Sequence, residues 1–200
     1  IYVGITSIEI IALRIAGMET FDSICHAFTT MPTGGFSTKN ASLAHYDNPM
    51  IHYIIIFFMF LAGINFSLHF HAMSGSIKTY FRDTEFLVYF FIIISISSII
   101  FFSLSYQSNT FSDLTLRESL FGTIAMLTGT GYVLGDYEIW PVFLQMILLT
   151  LMFVGGMGGS TTGGMKVIRV LLLVKYAALE TRRMLHSRAL LPVKIGKQLI

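Results

Sequence analysis

Apolar residues lie along this chain in long blocks, and short polar or glycine-rich interruptions separate the blocks. Tyr2 to Gly17 reads as an apolar helix whose one basic residue, Arg14, stands near its end, where a long side chain can reach an interface. Glu19 to Thr30 predicts a short, weakly amphipathic helix, which Pro32, Gly34 and Gly35 then break across Met31 to Thr38. After the polar stretch Lys39 to Pro49, the run Met50 to Phe70 predicts a full membrane span. Met73 to Thr84, with Gly75, Lys78, Arg82 and Asp83, predicts a polar connector. The layout then recurs. A long apolar helix covers Glu85 to Tyr106, polar residues follow from Gln107 to Asp113, and a short helix covers Leu116 to Leu127. A Gly/Thr-rich break over 128–135 precedes a last span, 141–176, which is interrupted over 155–165.

The recurrence extends to residue identity. Asp22-Ser23-Ile24 falls opposite Glu118-Ser119-Leu120, and Gly35-Phe36 falls opposite Gly131-Tyr132 at the same offset. Met59-Phe60-Leu61-Ala62-Gly63 resembles Met152-Phe153-Val154-Gly155-Gly156 at a slightly smaller one. The expected organisation is therefore one unit over 1–72 (helix 1–17, short helix 19–30, break 31–38, helix 50–70) and a connector over 73–84. A second unit covers 85–176, and 177–200 is a basic tail or the start of a further unit. Ile1 opens inside an apolar run, so the sequence is expected to begin mid-protein.

Composition points the same way. Hydrophobic residues make up 54% of the chain and charged ones 12%, with a mean hydropathy of +0.71, far more apolar than a soluble domain requires. A bilayer core about 30 Å thick takes roughly 20 apolar helical residues to cross, and Val88 to Tyr106 and Val142 to Met165 carry no Asp, Glu, Lys or Arg. A soluble helical protein would need polar helix faces that these segments lack.

The formal charge of +2 does not suggest a nucleic-acid partner; lipid is the expected surroundings. Lys78 and Arg82 in the connector, and Lys175, Arg182, Arg183, Arg188, Lys194 and Lys197 at the end, place those segments on the cytoplasmic side. The breaks then face outward, beside Asp47, Asp113, Glu118, Asp136 and Glu138, which would concentrate cations at a mouth or serve as ordinary solvated loop charges. The lone Cys25 forms no internal disulfide and reads as a small packing residue.

Two breaks carry the chemistry: Met31-Pro32-Thr33-Gly34-Gly35-Phe36 and Leu127-Thr128-Gly129-Thr130-Gly131-Tyr132. Non-helical backbone at membrane depth is tolerated only inside protein or against a water-filled path. A dehydrated potassium ion needs several oxygens around it, and extended Gly/Thr backbone can turn successive carbonyls toward one axis. The short helix before each break would point its partially negative carbonyl end at the ion. The plain alternative is a turn joining two spans.

Gly155 to Gly164 is a further break within an apolar run. Each glycine costs a helix about 1 kcal/mol relative to alanine, and Ser160-Thr161-Thr162 at its centre suits contact with water or ions better than close packing. His69 and His71, two apart, cannot share a metal on a helix and read as interface histidines. The glycine runs lack the Gly-Lys-Ser/Thr ending of a phosphate loop, and no paired nucleophile and base or useful carboxylate pair appears in the spans, so an enzyme is not expected.

At these residues the sequence resembles the Trk, Ktr and HKT potassium and sodium transporters, and within them the bacterial TrkH-type subunits. His26-Ala27-Phe28-Thr29-Thr30 through Gly34-Gly35-Phe36-Ser37-Thr38, with Asn65 to Phe70 and Arg82-Asp83, looks like the second repeat of that family. Thr128 to Tyr132, Trp140-Pro141 and Gly155-Gly156 through Arg169 look like the third. The resemblance implies an all-α membrane protein with two helix, pore-loop, helix repeats of a four-repeat, potassium-channel-like pore. It also implies an ion filter at Met31, Pro32, Thr33, Gly34 and Gly35 and at Leu127, Thr128, Gly129, Thr130 and Gly131, with potassium at Thr33, Gly34, Thr128 and Gly129. By the same resemblance Gly158, Gly159, Ser160, Thr161, Thr162, Gly163 and Gly164, followed by Lys166, form an intramembrane gate. Lys166 and Arg169 would anchor its inner end, repel cations when it is shut, or simply snorkel. Potassium is then the transported ligand with no covalently bound cofactor, and the partners are a cytosolic nucleotide-binding regulatory ring and a second copy of the subunit. The implied location is a bacterial inner membrane with the filter outward. Related readings are a sodium-conducting member of the superfamily and a channel of identical subunits; a non-conducting membrane scaffold is the reading of another class.

Overall fold

In the computed structural model, residues 1–185, 194–195 and 198–199 are described, with side chains as far as Thr181. The helices are α1 (Tyr2–Ile15), α2 (Thr20–Thr30), α3 (Pro49–Ala62), α4 (Phe66–Met73), α5 (Lys78–Arg82), α6 (Thr84–Ser108), α7 (Asp113–Thr128), α8 (Val142–Phe153) and α9 (Val167–Leu185). The only sheet among the described residues is a two-residue ladder in which Lys194 faces Leu199 and Ile195 faces Gln198. The fold is all-α, and the role expected of the basic segment falls largely on residues outside those described.

Local sequence sets most helix ends. Asn48 accepts from the Met50 amide (3.0 Å) and Pro49 opens α3, a pairing that satisfies free amides and presets the first φ. Asp83 accepts from the Phe86 amide (2.8 Å) at the start of α6, and Ser112 accepts from Thr115 (3.1 Å) at the start of α7. That serine places the start of α7 at Asp113, earlier than the hydrophobic pattern suggests. Asn109 ends α6 in left-handed geometry, a conformation its short polar side chain tolerates.

One span expected to be continuous is not. The run Met50 to Phe70 is two helices, α3 and α4, that meet at 101°. Gly63 lies at the bend because nothing larger fits: a Cβ there would sit 2.1 Å from the Tyr89 hydroxyl oxygen. Asn65 then starts α4 by accepting from the Ser67 amide (2.8 Å). The run Val142 to Met165 keeps helical form only as far as Phe153. A helix of that length reaches about 18 Å, short of a bilayer core. Among the described residues α6 alone is long and apolar enough to cross by itself, and the bent α3–α4 pair is a second candidate.

α7 is the hub: it packs against α3, α6 and α8, while α1 packs on α2 and α3. Tyr89, Phe121, Tyr132, Ile55 and Met59 are buried where these helices meet. The outward faces of α6 and α8 expose Phe91, Ile94, Ile99, Phe102, Phe143, Met146, Leu149 and Met152, a band suited to lipid or to further helices.

Candidate ion path and its glycine loop

The two short helices α2 and α7 both end in Gly/Thr backbone. In the first, the Gly34 and Gly35 amides both donate to the Thr29 carbonyl (2.8 and 3.2 Å), which folds the loop back over the helix end. Thr33, at φ 57°, turns it sharply. In the second, Gly129 ends α7 with a left-handed φ of 71°, and the Gly131 amide reaches back to the Ala125 carbonyl (3.1 Å). Leu127 and Thr128 still belong to α7 and are buried, and the Thr128 hydroxyl donates to Ile124 (2.7 Å).

The loops meet. A Cβ on Gly35 would lie 1.7 Å from the Thr130 carbonyl oxygen and 2.8 Å from its carbon, so the two backbones touch at a place that admits no side chain. Gly35 also has φ 67°, a left-handed value costly for other residues. Behind this contact, the buried Tyr132 hydroxyl shares a hydrogen bond with Thr29 (2.6 Å) and donates to the His26 carbonyl (3.1 Å), tying the second loop to the first short helix. His26 is held in turn by the Asp22 carbonyl (2.8 Å) and the Ser37 hydroxyl (2.9 Å).

At the start of α2, Asp22 accepts from Thr38 (2.7 Å) and Tyr46 (2.8 Å) and pairs with Lys39 (3.2 Å). Burial, then the hydrogen bond to Asp22, raises the Tyr46 phenol above its ordinary value and keeps it a neutral donor. Across the same end of the molecule, Arg117 pairs with Asp113 (2.8 Å) and donates to His52 Nδ1 (2.9 Å). The Asp113 carboxylate also accepts from Tyr53 (2.5 Å), so it is not a free mouth charge; Asp47, Asp136 and Glu138 are exposed.

The stretch from Val154 to Lys166 leaves helical form and returns. At its neck Val154 bridges Met165, the Gly155 amide donates to the Met165 carbonyl (2.8 Å), and the Val167 amide donates to Gly156 (3.1 Å). The strands run so close that a Cβ on Gly155 would lie 2.1 Å from the Gly163 carbonyl oxygen. The tip reaches the first short loop: the Thr161 hydroxyl donates to the carbonyls of Met31 (2.7 Å) and Ala62 (3.2 Å), and Thr33 donates to the Thr161 carbonyl (3.2 Å). Pro32 is exposed beside it, its carbonyl accepting from the Thr33 hydroxyl (2.7 Å). Ser160 and Thr162 share a hydrogen bond (2.7 Å), and Lys166 donates to the Thr162 carbonyl and to its hydroxyl oxygen (3.1 Å). Lys166 therefore holds its own loop, while Arg169 is exposed.

A family model described as a cation transport protein, TrkH, matches residues 2–200. The chain belongs to the TrkH cation transport family. It is 39% identical over 203 residues to the Trk system potassium uptake protein TrkH of Escherichia coli K12, covering 99% of this chain and 41% of the relative. It is 36% identical over 194 residues to the Trk system potassium uptake protein TrkG of the same strain, covering 96% and 40%. The crystal structure of the potassium transporter TrkH from Vibrio parahaemolyticus superposes with a TM-score of 0.93 at 36% identity, covering 99% of this chain and 43% of that one. The chain thus spans about two-fifths of the relatives it matches. Membership makes it an integral membrane protein of a transport family rather than an enzyme.

Several residues that hold the site escaped sequence reasoning. Glu85, unremarkable at the head of an apolar run, accepts from the Gly158 amide of the glycine loop and the Ile168 amide of α9. Glu9 is fully buried in α1, and the described residues give neither carboxyl oxygen a hydrogen-bond partner. A lone Glu in an apolar stretch was the signal for it, since such groups are costly and retained for function. His69, expected at an interface, is buried: it bonds Tyr80 (2.7 Å) and the Leu61 carbonyl (3.0 Å), so it braces the α3–α4 bend against α5.

Proposed function

We propose that this chain lines part of a potassium-selective path through a membrane, as two pore repeats of a Trk-type uptake subunit whose other repeats complete the filter. The observation that carries the reading is the contact of Gly35 with Thr130 and Gly131, which brings the Gly/Thr backbones of both loops to one place. Each loop follows a helix whose carbonyl end points toward it, and such ends favour a cation. The carbonyls of Thr33, Gly34, Thr128 and Gly129 are the assigned potassium ligands; they replace water around the ion as it crosses.

In this reading Gly158 to Gly164 is the gate. Its tip bonds Met31 and Thr33, so a shut loop lies against the first filter segment. The connector's exposed Lys78 and Arg82 mark the cytoplasmic side, and the exposed Asp47, Asp136 and Glu138 mark the outer mouth of a bacterial inner-membrane protein. A second copy and a cytosolic nucleotide-binding ring complete the working assembly, the ring acting on the gate from the inner side.

Gly131→Ser in the complete transporter tests the assignment. Serine is disfavoured at φ 75° and adds a hydroxyl beside the carbonyl ring, so uptake should lose discrimination between potassium and sodium. An unchanged potassium-to-sodium ratio in protein that still assembles in the membrane sinks the reading, and a purely structural scaffold is what would remain.

A further inference from the structure

Glu85 is the second residue of α6, half-buried, and belongs to neither the filter nor the glycine loop. Its Oε1 accepts from the Gly158 amide (2.7 Å) and from the Ile168 amide (3.1 Å). Those two amides stand on opposite sides of the loop neck: Gly158 is on the outgoing limb, and Ile168 is in the first turn of α9. A carboxylate on a helix N-terminus is favoured by the free amides and the dipole there, and charge-assisted hydrogen bonds are roughly twice as strong as neutral ones. Among the described residues neither amide has a backbone acceptor in the loop's own neck, where Gly155, Met165 and Val167 supply the pairing.

We propose that Glu85 is the positioning residue that links α9 to the gate, passing displacement of the α9 start to Gly158 through one carboxylate oxygen. The inference rests on the gate reading of Gly158 to Gly164 and adds to it the element that moves the loop. α9 is the element that leads away from the loop on the inner side, so a force applied to it arrives first at Val167 and Ile168. While the tie holds, movement of Ile168 drags Gly158 with it and strains the Thr161 contacts with Met31 and Ala62 at the loop tip; once the tie is lost, the loop no longer follows α9. Glu85 touches no ion in this scheme; it acts through the loop.

The test compares Glu85→Ala, Glu85→Gln and the parent sequence in the complete transporter, reconstituted without and with its regulatory ring. Glu85→Ala should raise basal rubidium flux several-fold and blunt the response to the ring, while the potassium-to-sodium ratio stays at the parent value because the filter is untouched. Glu85→Gln keeps an acceptor oxygen and should fall between. Amide hydrogen exchange on the same samples separates the two layers of the claim: Gly158 and Ile168 should exchange faster in Glu85→Ala, with Gly34, Gly35 and Gly131 unchanged. Unchanged exchange at Gly158 and Ile168 overturns the tie itself. Faster exchange there with parental flux and parental ring response leaves the tie in place and overturns the gate role of the loop, and with it the proposal. Collapse of protection throughout α6 and α7 in the glutamine variant as well would make Glu85 a folding residue and equally overturn it.

Discussion

Tyr132 shows how a single side chain joins two segments a hundred residues apart. Its ring is buried and its hydroxyl reaches Thr29 and the His26 carbonyl at the back of the other loop. Removing only that oxygen, in Tyr132→Phe, leaves the packing and deletes its bonds to Thr29 and the His26 carbonyl, which keep other partners: Thr29 bonds the Cys25 and Phe36 carbonyls, and the His26 carbonyl accepts from Thr30 (2.8 Å). The expected cost is about 0.5–1.5 kcal/mol, the net worth of a hydrogen bond whose partners remain satisfied. Thermal unfolding of the complete protein should report that loss, and potassium-to-sodium discrimination should weaken as the filter loop gains freedom. A variant with parental stability and selectivity would mean that the ring alone holds the loops together. Sequence similarity placed Gly131-Tyr132 opposite Gly35-Phe36, yet it could not tell that the tyrosine is buried while Phe36 is exposed. The difference lies in partners on the other repeat, and no local pattern encodes them.

Among the elements, the loop from Val154 to Lys166 is the one whose form depends most on missing side chains. Its limbs pass so close at Gly155 and Gly163 that one methyl group has no room. Gly155→Ala should therefore splay the neck and displace the Thr161 tip from Met31. Flux measurements on the complete transporter should then show a higher basal rate with less response to regulation. The clash is with backbone, which cannot rotate away as a flexible side chain would. If basal flux is unchanged, the neck is not what holds the tip in place. The glycine run and its central Ser-Thr-Thr were plain in the sequence, and so were the two Gly/Thr breaks with the short helices before them. The bend between α3 and α4 was not, because Met50 to Phe70 is predominantly apolar and the close approach at the bend, Tyr89 against Gly63, comes from another helix. Asn65 was the one local mark, a capping residue within a run that otherwise reads as continuous. Glu85 was hidden for the same reason: its two amide partners lie more than seventy residues downstream.

At the scale of the whole molecule, the segments before and after α5 are joined at the contact of the two Gly/Thr loops and again where α3 meets α7. The second junction centres on Arg117, buried to 8% exposure, between Asp113 on its own helix and His52 on α3. Because Arg117 donates to Nδ1, the imidazole carries its proton on Nε2, which donates to the Leu43 carbonyl (3.2 Å). The pair with Asp113 contributes little, about 0–1 kcal/mol, since the carboxylate side chain is 61% exposed and well screened. The bond to His52 matters more: Arg117→Ala would leave a buried ring nitrogen without a donor, at about 1–3 kcal/mol. Arg117→Ala should thus lower the melting temperature of the complete transporter by several degrees, whereas Asp113→Asn should barely change it. Selectivity should survive in both, because eleven residue steps along α7, about 16.5 Å of helix, take the chain from Arg117 to Thr128. Equal destabilisation by Asp113→Asn and Arg117→Ala would show instead that the ion pair is what joins the repeats.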